Sequence, residues 1–343
     1  MKAFSNKVRA YEWNYKGFKV LTLENSKIRI SLLPYKGSDI VEIRYKPKDM
    51  NVLLTLPLKP LLTSLTPSPR GVFFDYYEGG WQDIIPTAGE ANFKFKGVEW
   101  GAYSESSLIP WEYDITELND SVEVKLSTEL VRYPFRIEKV IKLGKDDDYF
   151  EINEKITNAS DGDLEYMWLQ HIMFSRPFIS NGCKIRIPAR TLITHGPPDF
   201  SNLSFLKPGV LCEWPYGITK EGKSIDLSVL SIQDHKVYDV AYVTELEEGH
   251  FSITNPQYAL AFELHFPKEI FRYLWLMYVF GGPLEYPWYG KVWGFGIMPC
   301  TSYPASGLLR AIENETARKL RGNSSIEAKF TIRLYEISDV EET

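Results

Sequence analysis

The sequence predicts an all-β protein, a large antiparallel β-sandwich, and three observations carry that prediction. Apolar and polar residues alternate with a two-residue period in eight segments, 27–33, 39–45, 122–130, 135–143, 150–157, 227–232, 258–266 and 326–337, as expected of strands that bury one face. Clusters of Gly, Pro, Asn and Asp punctuate the gaps, for example at 144–148 and 158–162, where turns need them. Stripes with a 3.6-residue period are almost absent, the best short helix being 305–312, just after Pro304. Alternation without interleaved helices argues against a parallel α/β sheet and for antiparallel layers.

Strand signal continues from residue 18 to residue 337 with no Pro/Gly/Ser-rich linker, so one sandwich domain over 1–343 is expected. A hydrophobic share of 44% suffices for its core. Two irregular, aromatic-rich stretches, 57–111 and 193–223, interrupt the pattern. Loops this long in a compact domain are commonly functional, and their aromatic content favours ordered, site-forming loops.

Among the strands, 166–173 is unusual because both of its faces are apolar. Met167, Leu169, His171 and Met173 lie on one side, with Tyr166, Trp168, Gln170 and Ile172 on the other, which reads as a strand covered twice. His171 therefore points into a packed interior or a cleft. Either it is a hydrogen-bonded core residue or it does chemistry.

Composition excludes several classes. A net charge of −6 leaves no basic excess to neutralise phosphates, so no nucleic-acid partner is expected. Cys183, Cys212 and Cys300 are odd in number and far apart. They suggest neither a disulfide framework nor a zinc spacing, and read as free thiols of a reducing compartment. The amino terminus lacks a long apolar secretory core, and no run approaches the ~18 apolar residues that span a bilayer. A soluble cytoplasmic protein, a monomer or homodimer with no membrane partner, is the expectation. P-loop, HExxH and GxSxG motifs are absent and His195, His235 and His250 are scattered, so no metal and no cofactor is expected.

Three segments taken together resemble the aldose 1-epimerase, or galactose mutarotase-like, superfamily. The first is Gly79, Gly80, Trp81, Gln82, Asp83, Ile84, Ile85, Pro86, Thr87, Ala88, Gly89, leading through Gly97 to Tyr103, Ser104, Glu105 and the pair Pro110, Trp111. The second is the His171 strand with Arg176, Pro177 and Phe178 after the Asn158 turn, and the third runs from Gly281 and Gly282 through Trp288 to Met298, Pro299 and Cys300. The resemblance implies a mutarotase-like supersandwich and a small-molecule sugar as partner. It also implies a carboxylate base and a histidine acid on opposite sides of a pyranose, which opens to the aldehyde and recloses on either face. By resemblance His171 is the acid, since an imidazole exchanges a proton near pH 7.

Two positions depart from the family pattern. Tyr103 stands where the first histidine would be, and a phenol with a reference pKa of about 10 shuttles protons poorly. Met298 stands where the glutamate base would be, and a thioether accepts no proton. Carboxylates available to compensate are Asp83, Glu90, Glu105, Glu263 and Glu285, of which Glu285, in a loop with Tyr286, Trp288 and Tyr289, is the most attractive replacement base. Glu263 and His265 share one side of a strand, either lining a cleft or forming a solvated polar face. Arg70 offers a fork of donors to sugar hydroxyls or is a turn arginine. Trp81, Gln82, Tyr103, Glu105, Trp288 and Met298 complete the expected sugar-binding set, the tryptophans offering flat apolar surfaces for a pyranose. Three readings follow: an anomer-interconverting isomerase, a carbohydrate-binding protein that has lost the base, and a glycosidase-like enzyme needing two carboxylates roughly 5–9.5 Å apart.

Overall fold

A computed structural model describes residues 7–15, 17–56, 73–89, 92–232 and 236–337. Arg70, Glu90 and His235 lie outside the described residues. The fold is all-β and antiparallel.

The larger sheet has twelve strands. Its order is Arg9–Tyr15, Phe18–Glu24, Ile28–Leu33, Asp39–Tyr45, Trp81–Ile84, Leu169–Ser175, Trp293–Cys300, Tyr273–Phe280, Val237–Leu246, Ala189–Thr194 and Leu211–Glu213, with Met50–Asn51 pairing off Asp39–Tyr45. The smaller sheet has eight, in the order Lys184–Arg186, His250–Asn255, Leu260–His265, Ser324–Glu336, Tyr149–Asn158, Phe135–Gly144, Ser121–Glu129 and Glu112–Glu117.

Strands of the smaller sheet bury alternate residues, as Phe135–Gly144 shows, because only one face meets the partner sheet. Phe174 on the larger sheet lies 4.8 Å from Phe262 on the smaller, ring centre to ring centre, within a core that also takes Ile30, Ile43, Ile141, Ile152, Phe295 and Ile332. Central strands of the larger sheet, Leu169–Ser175 and Trp293–Cys300, are buried on both faces. Their second face carries another apolar layer, including Phe73, Tyr77, Tyr103, Met173, Tyr242, Trp275 and Met298.

Two ion clusters are buried with the sheets. Lys139 Nζ pairs with Asp83, lies 3.9 Å from Glu154 Oε1 and donates to Ser38 Oγ at 2.9 Å. Gln170 bridges from Glu154 Oε2 to Trp81 Nε1. Burial lowers the Lys139 pKa, but Asp83 and Glu154 outweigh it and hold the ammonium charged. Lys36 is likewise held between Asp39 and Glu78.

Local differences from the sequence reading have local causes. Segment 227–232 is not a strand. The strand there is Ser224–Asp226, and Asp226 Oδ1 then accepts the Ser228 N–H at 2.8 Å, bending the chain. The helix begins three residues later than expected, at Leu308–Glu313, because Thr87 Oγ1 accepts the Leu308 N–H. The irregular stretch 57–111 contains the strand Trp81–Ile84 and the short helix Phe73–Tyr76. No helix among the described residues is long and apolar enough to cross a membrane.

Candidate functional site

His171 occupies the face of the larger sheet turned away from the smaller one. Its strand pairs with Trp81–Ile84 so that His171 stands opposite Gln82. On the other side Leu169 faces Cys300 and Met173 faces Gly296, which sets His171 level with Met298. The position where the resemblance calls for a glutamate is thus beside the imidazole and holds a fully buried thioether. A Cβ at Gly296 would collide with the Met298 methyl, so that side chain fills the space over Gly296.

The imidazole is tied down on one nitrogen. Gln82 Nε2 donates to Gly79 O at 2.6 Å, which turns Gln82 Oε1 toward His171 Nδ1 at 3.1 Å. That bonding assigns the proton to Nδ1 and makes Nε2 the ring's acceptor. Gly79 has φ +96°, and a Cβ there would overlap the Leu54 carbonyl oxygen. The glycine is what allows this anchoring turn to pass so close.

Aromatic rings roof the site. Phe73, Tyr77 and Tyr103 present themselves roughly edge-on to His171 at centroid distances of 5.6, 5.4 and 5.2 Å, and only 3% of His171 is exposed. Burial lowers its pKa from 6.5 to about 3, the charge of Lys36 adding to the effect. At neutral pH this imidazole is an uncharged acceptor.

The other expected site residues distribute unevenly. Tyr103 and Met298 join this face, and so does Trp288, which is 4% exposed and packs on Phe74, Tyr77 and Tyr238 at 5.9–6.1 Å. Trp81 does not, because it neighbours Gln82 on a strand and so points the opposite way, its Nε1 donating to Gln170 inside the sandwich. Glu105 is buried elsewhere, accepting the backbone N–H groups of Val131 and Arg132. Burial pushes its pKa up and those bonds oppose the rise. Glu285 is exposed, and no hydrogen bond or ion pair joins it to His171 among the described residues. Its carbonyl accepts the N–H groups of Trp288 and Tyr289 and shapes their loop.

Structure adds residues that sequence reasoning passed over. Besides Phe73 and Tyr77, the ring wall continues from Trp288 through Tyr238 and Phe200 to half-buried His195. His195 Nδ1 hydrogen-bonds the Tyr242 hydroxyl, which also accepts the Ala305 N–H at 2.9 Å, and burial lowers the His195 pKa to about 4. The usable signal was the parity of Tyr238, Val240 and Tyr242, which fall on one face of their strand. The wall is apolar with a few polar tips, buried around His171 and half-buried at Phe200 and His195, and among the described residues no hydrogen bond or ion pair joins a carboxylate to the His171 ring.

No protein-family model matches the sequence, and no curated protein matches it. Solved structures do. The chain is similar to a candidate aldose 1-epimerase from Klebsiella pneumoniae at 13% identity and a TM-score of 0.73, over 96% of this chain and 83% of that one. A galactose mutarotase-like protein from Clostridium acetobutylicum matches at 12% identity and 0.64, over 97% and 100%. A galactose mutarotase related enzyme from Lactobacillus acidophilus matches at 14% and 0.60, over 93% and 98%. At these identities the likeness establishes the fold, which is the galactose mutarotase-like sandwich expected from the sequence.

Proposed function

We propose that this chain binds a carbohydrate on the ring-lined face of the larger sheet and does not interconvert anomers through His171. The ligand class is suggested by the solved structures that share the fold, named for aldose 1-epimerase and galactose mutarotase, and by a wall suited to the C–H faces of a pyranose. One observation carries the non-catalytic part: an imidazole with a pKa of about 3 stands level with Met298. At pH 7 about one such ring in ten thousand is protonated, so it is a weak acid catalyst. A thioether supplies no base.

The test pairs binding with turnover. A panel of aldoses and their derivatives is titrated while tryptophan fluorescence and saturation-transfer NMR are followed, and the same sugars are watched by polarimetry from fresh solution. At least one sugar should bind, with affinity falling about tenfold or more in Trp288→Ala, a loss of about 1.4 kcal/mol. The approach to anomeric equilibrium should match that of buffer. Acceleration abolished by His171→Ala would restore the isomerase reading, and failure of every sugar to bind would remove the carbohydrate.

A further inference from the structure

We propose that His250, Glu263 and His265 form a binding site for one divalent transition-metal ion of the zinc class, on the outer face of the smaller sheet. The three residues come from one hairpin, His250–Asn255 paired with Leu260–His265, whose register sets His250 opposite His265 and Ser252 opposite Glu263. Directly opposed residues share a face. The intervening Phe251, Ile253, Phe262 and Leu264 all enter the core between the sheets, so the two imidazoles and the carboxylate emerge together on the other side.

Distances bring them within reach of a single ion. Nε2 of His250 and Nε2 of His265 each lie 2.9 Å from Glu263 Oε1. The rings are 4.5 Å apart at 31°, and one donor atom from each residue falls within 4.8 Å of the others. Zinc bonds imidazole nitrogen and carboxylate oxygen at about 2.0–2.2 Å, which in a tetrahedral shell sets donors roughly 3.3 Å apart. A withdrawal of Glu263 Oε1 by a few tenths of an ångström makes room.

A second observation singles out this cluster. His250 is only 6% exposed, and its Nε2, 2.9 Å from Glu263 Oε1, makes no well-aligned hydrogen bond. Buried ring nitrogens are normally satisfied, and an ion between the three donors would satisfy this one. The His265 side chain is 54% exposed and gives access from solvent. Arg186 and Arg333 stand nearby with like charge to a cation, Arg333 already paired with Asp148 at 3.0 Å. Two imidazoles with one carboxylate favour zinc, copper, nickel or cobalt over magnesium or calcium, and three protein donors leave a position for water.

The test uses the full chain, stripped with a chelator and dialysed. Zn²⁺ is titrated calorimetrically at pH 7.5, and Co²⁺ is followed by its visible absorption. One equivalent should bind, with the intense bands of a tetrahedral Co²⁺ site. His265→Ala, whose exposed side chain makes misfolding a minor concern, and Glu263→Gln should each weaken binding by roughly a hundredfold or more, since even outer-shell partners are worth about 10- to 100-fold. Cys212→Ser should leave it unchanged. Circular dichroism checks that each variant is folded. Absence of stoichiometric binding, or equal affinity in folded His265→Ala, would overturn the proposal.

Discussion

Replacing His171 by Gln removes a proton-binding site that the folded state suppresses, and its effect can be worked out from the burial of the ring. In the unfolded chain the imidazole titrates near 6.5, while in the fold its pKa is lowered to about 3. The native state therefore binds fewer protons than the unfolded state throughout that window. The stability this group contributes is complete above about pH 6.5 and is lost as pH falls toward 3, at about 1.4 kcal/mol per pH unit. At pH 5 the loss amounts to about 2 kcal/mol. Urea unfolding of wild type and His171→Gln at pH 7.5, 6, 5 and 4.5 measures it as a difference. Other titrating groups, including His195 and the buried carboxylates Asp39 and Glu154, are present in both proteins and largely cancel. The wild-type advantage should shrink by about 2 kcal/mol between pH 7.5 and pH 5. Parallel curves, or a His171 NMR resonance titrating near 6.5 in the folded protein, would show that the ring is not sealed.

Two further substitutions test how the face is supported. Lys139→Met leaves Asp83 and Glu154 buried without their cation, and chemical denaturation should register a loss of about 3–5 kcal/mol; a change below about 1 kcal/mol would mean that water reaches the cluster. Gly79→Ala forces a Cβ onto the Leu54 carbonyl at φ +96°, and should destabilise by more than about 2 kcal/mol; a neutral melting temperature would contradict the described turn.

Strands were legible where one face is wet. Phe135–Gly144 and Ser121–Glu129 alternate visibly because solvent permits polar residues at every second position. Arg9–Tyr15 escaped notice because it is an edge strand, exposed along most of its length and held by pairing with Phe18–Glu24. Segment 227–232 has the right alternation but follows an Asp226 turn, and periodicity does not register such a side-chain bond. His171, Tyr103 and Met298 could be found from the order of motifs along the chain. The parity of neighbouring strand residues also separates Gln82 from Trp81, and that signal was available in the sequence. Phe73 and Tyr77, on and just after the short helix Phe73–Tyr76, and His195, just after the strand Ala189–Thr194, reach one wall only through tertiary packing over the larger sheet, which no local pattern encodes. His250 and His265 meet only through hairpin register.

Ser324–Glu336 lies in the smaller sheet between Leu260–His265 and Tyr149–Asn158, yet it is translated after every other strand of that sheet. While it is still inside the ribosome, the strands already emerged form two separate halves, each with an open inner edge of unpaired amides and carbonyls. Such edges recruit foreign strands, and a nascent chain in this state is the aggregation-prone species that chaperones shield. A premature stop before residue 324 makes that condition permanent, so such a nonsense truncation should yield insoluble product and not a slightly shortened fold.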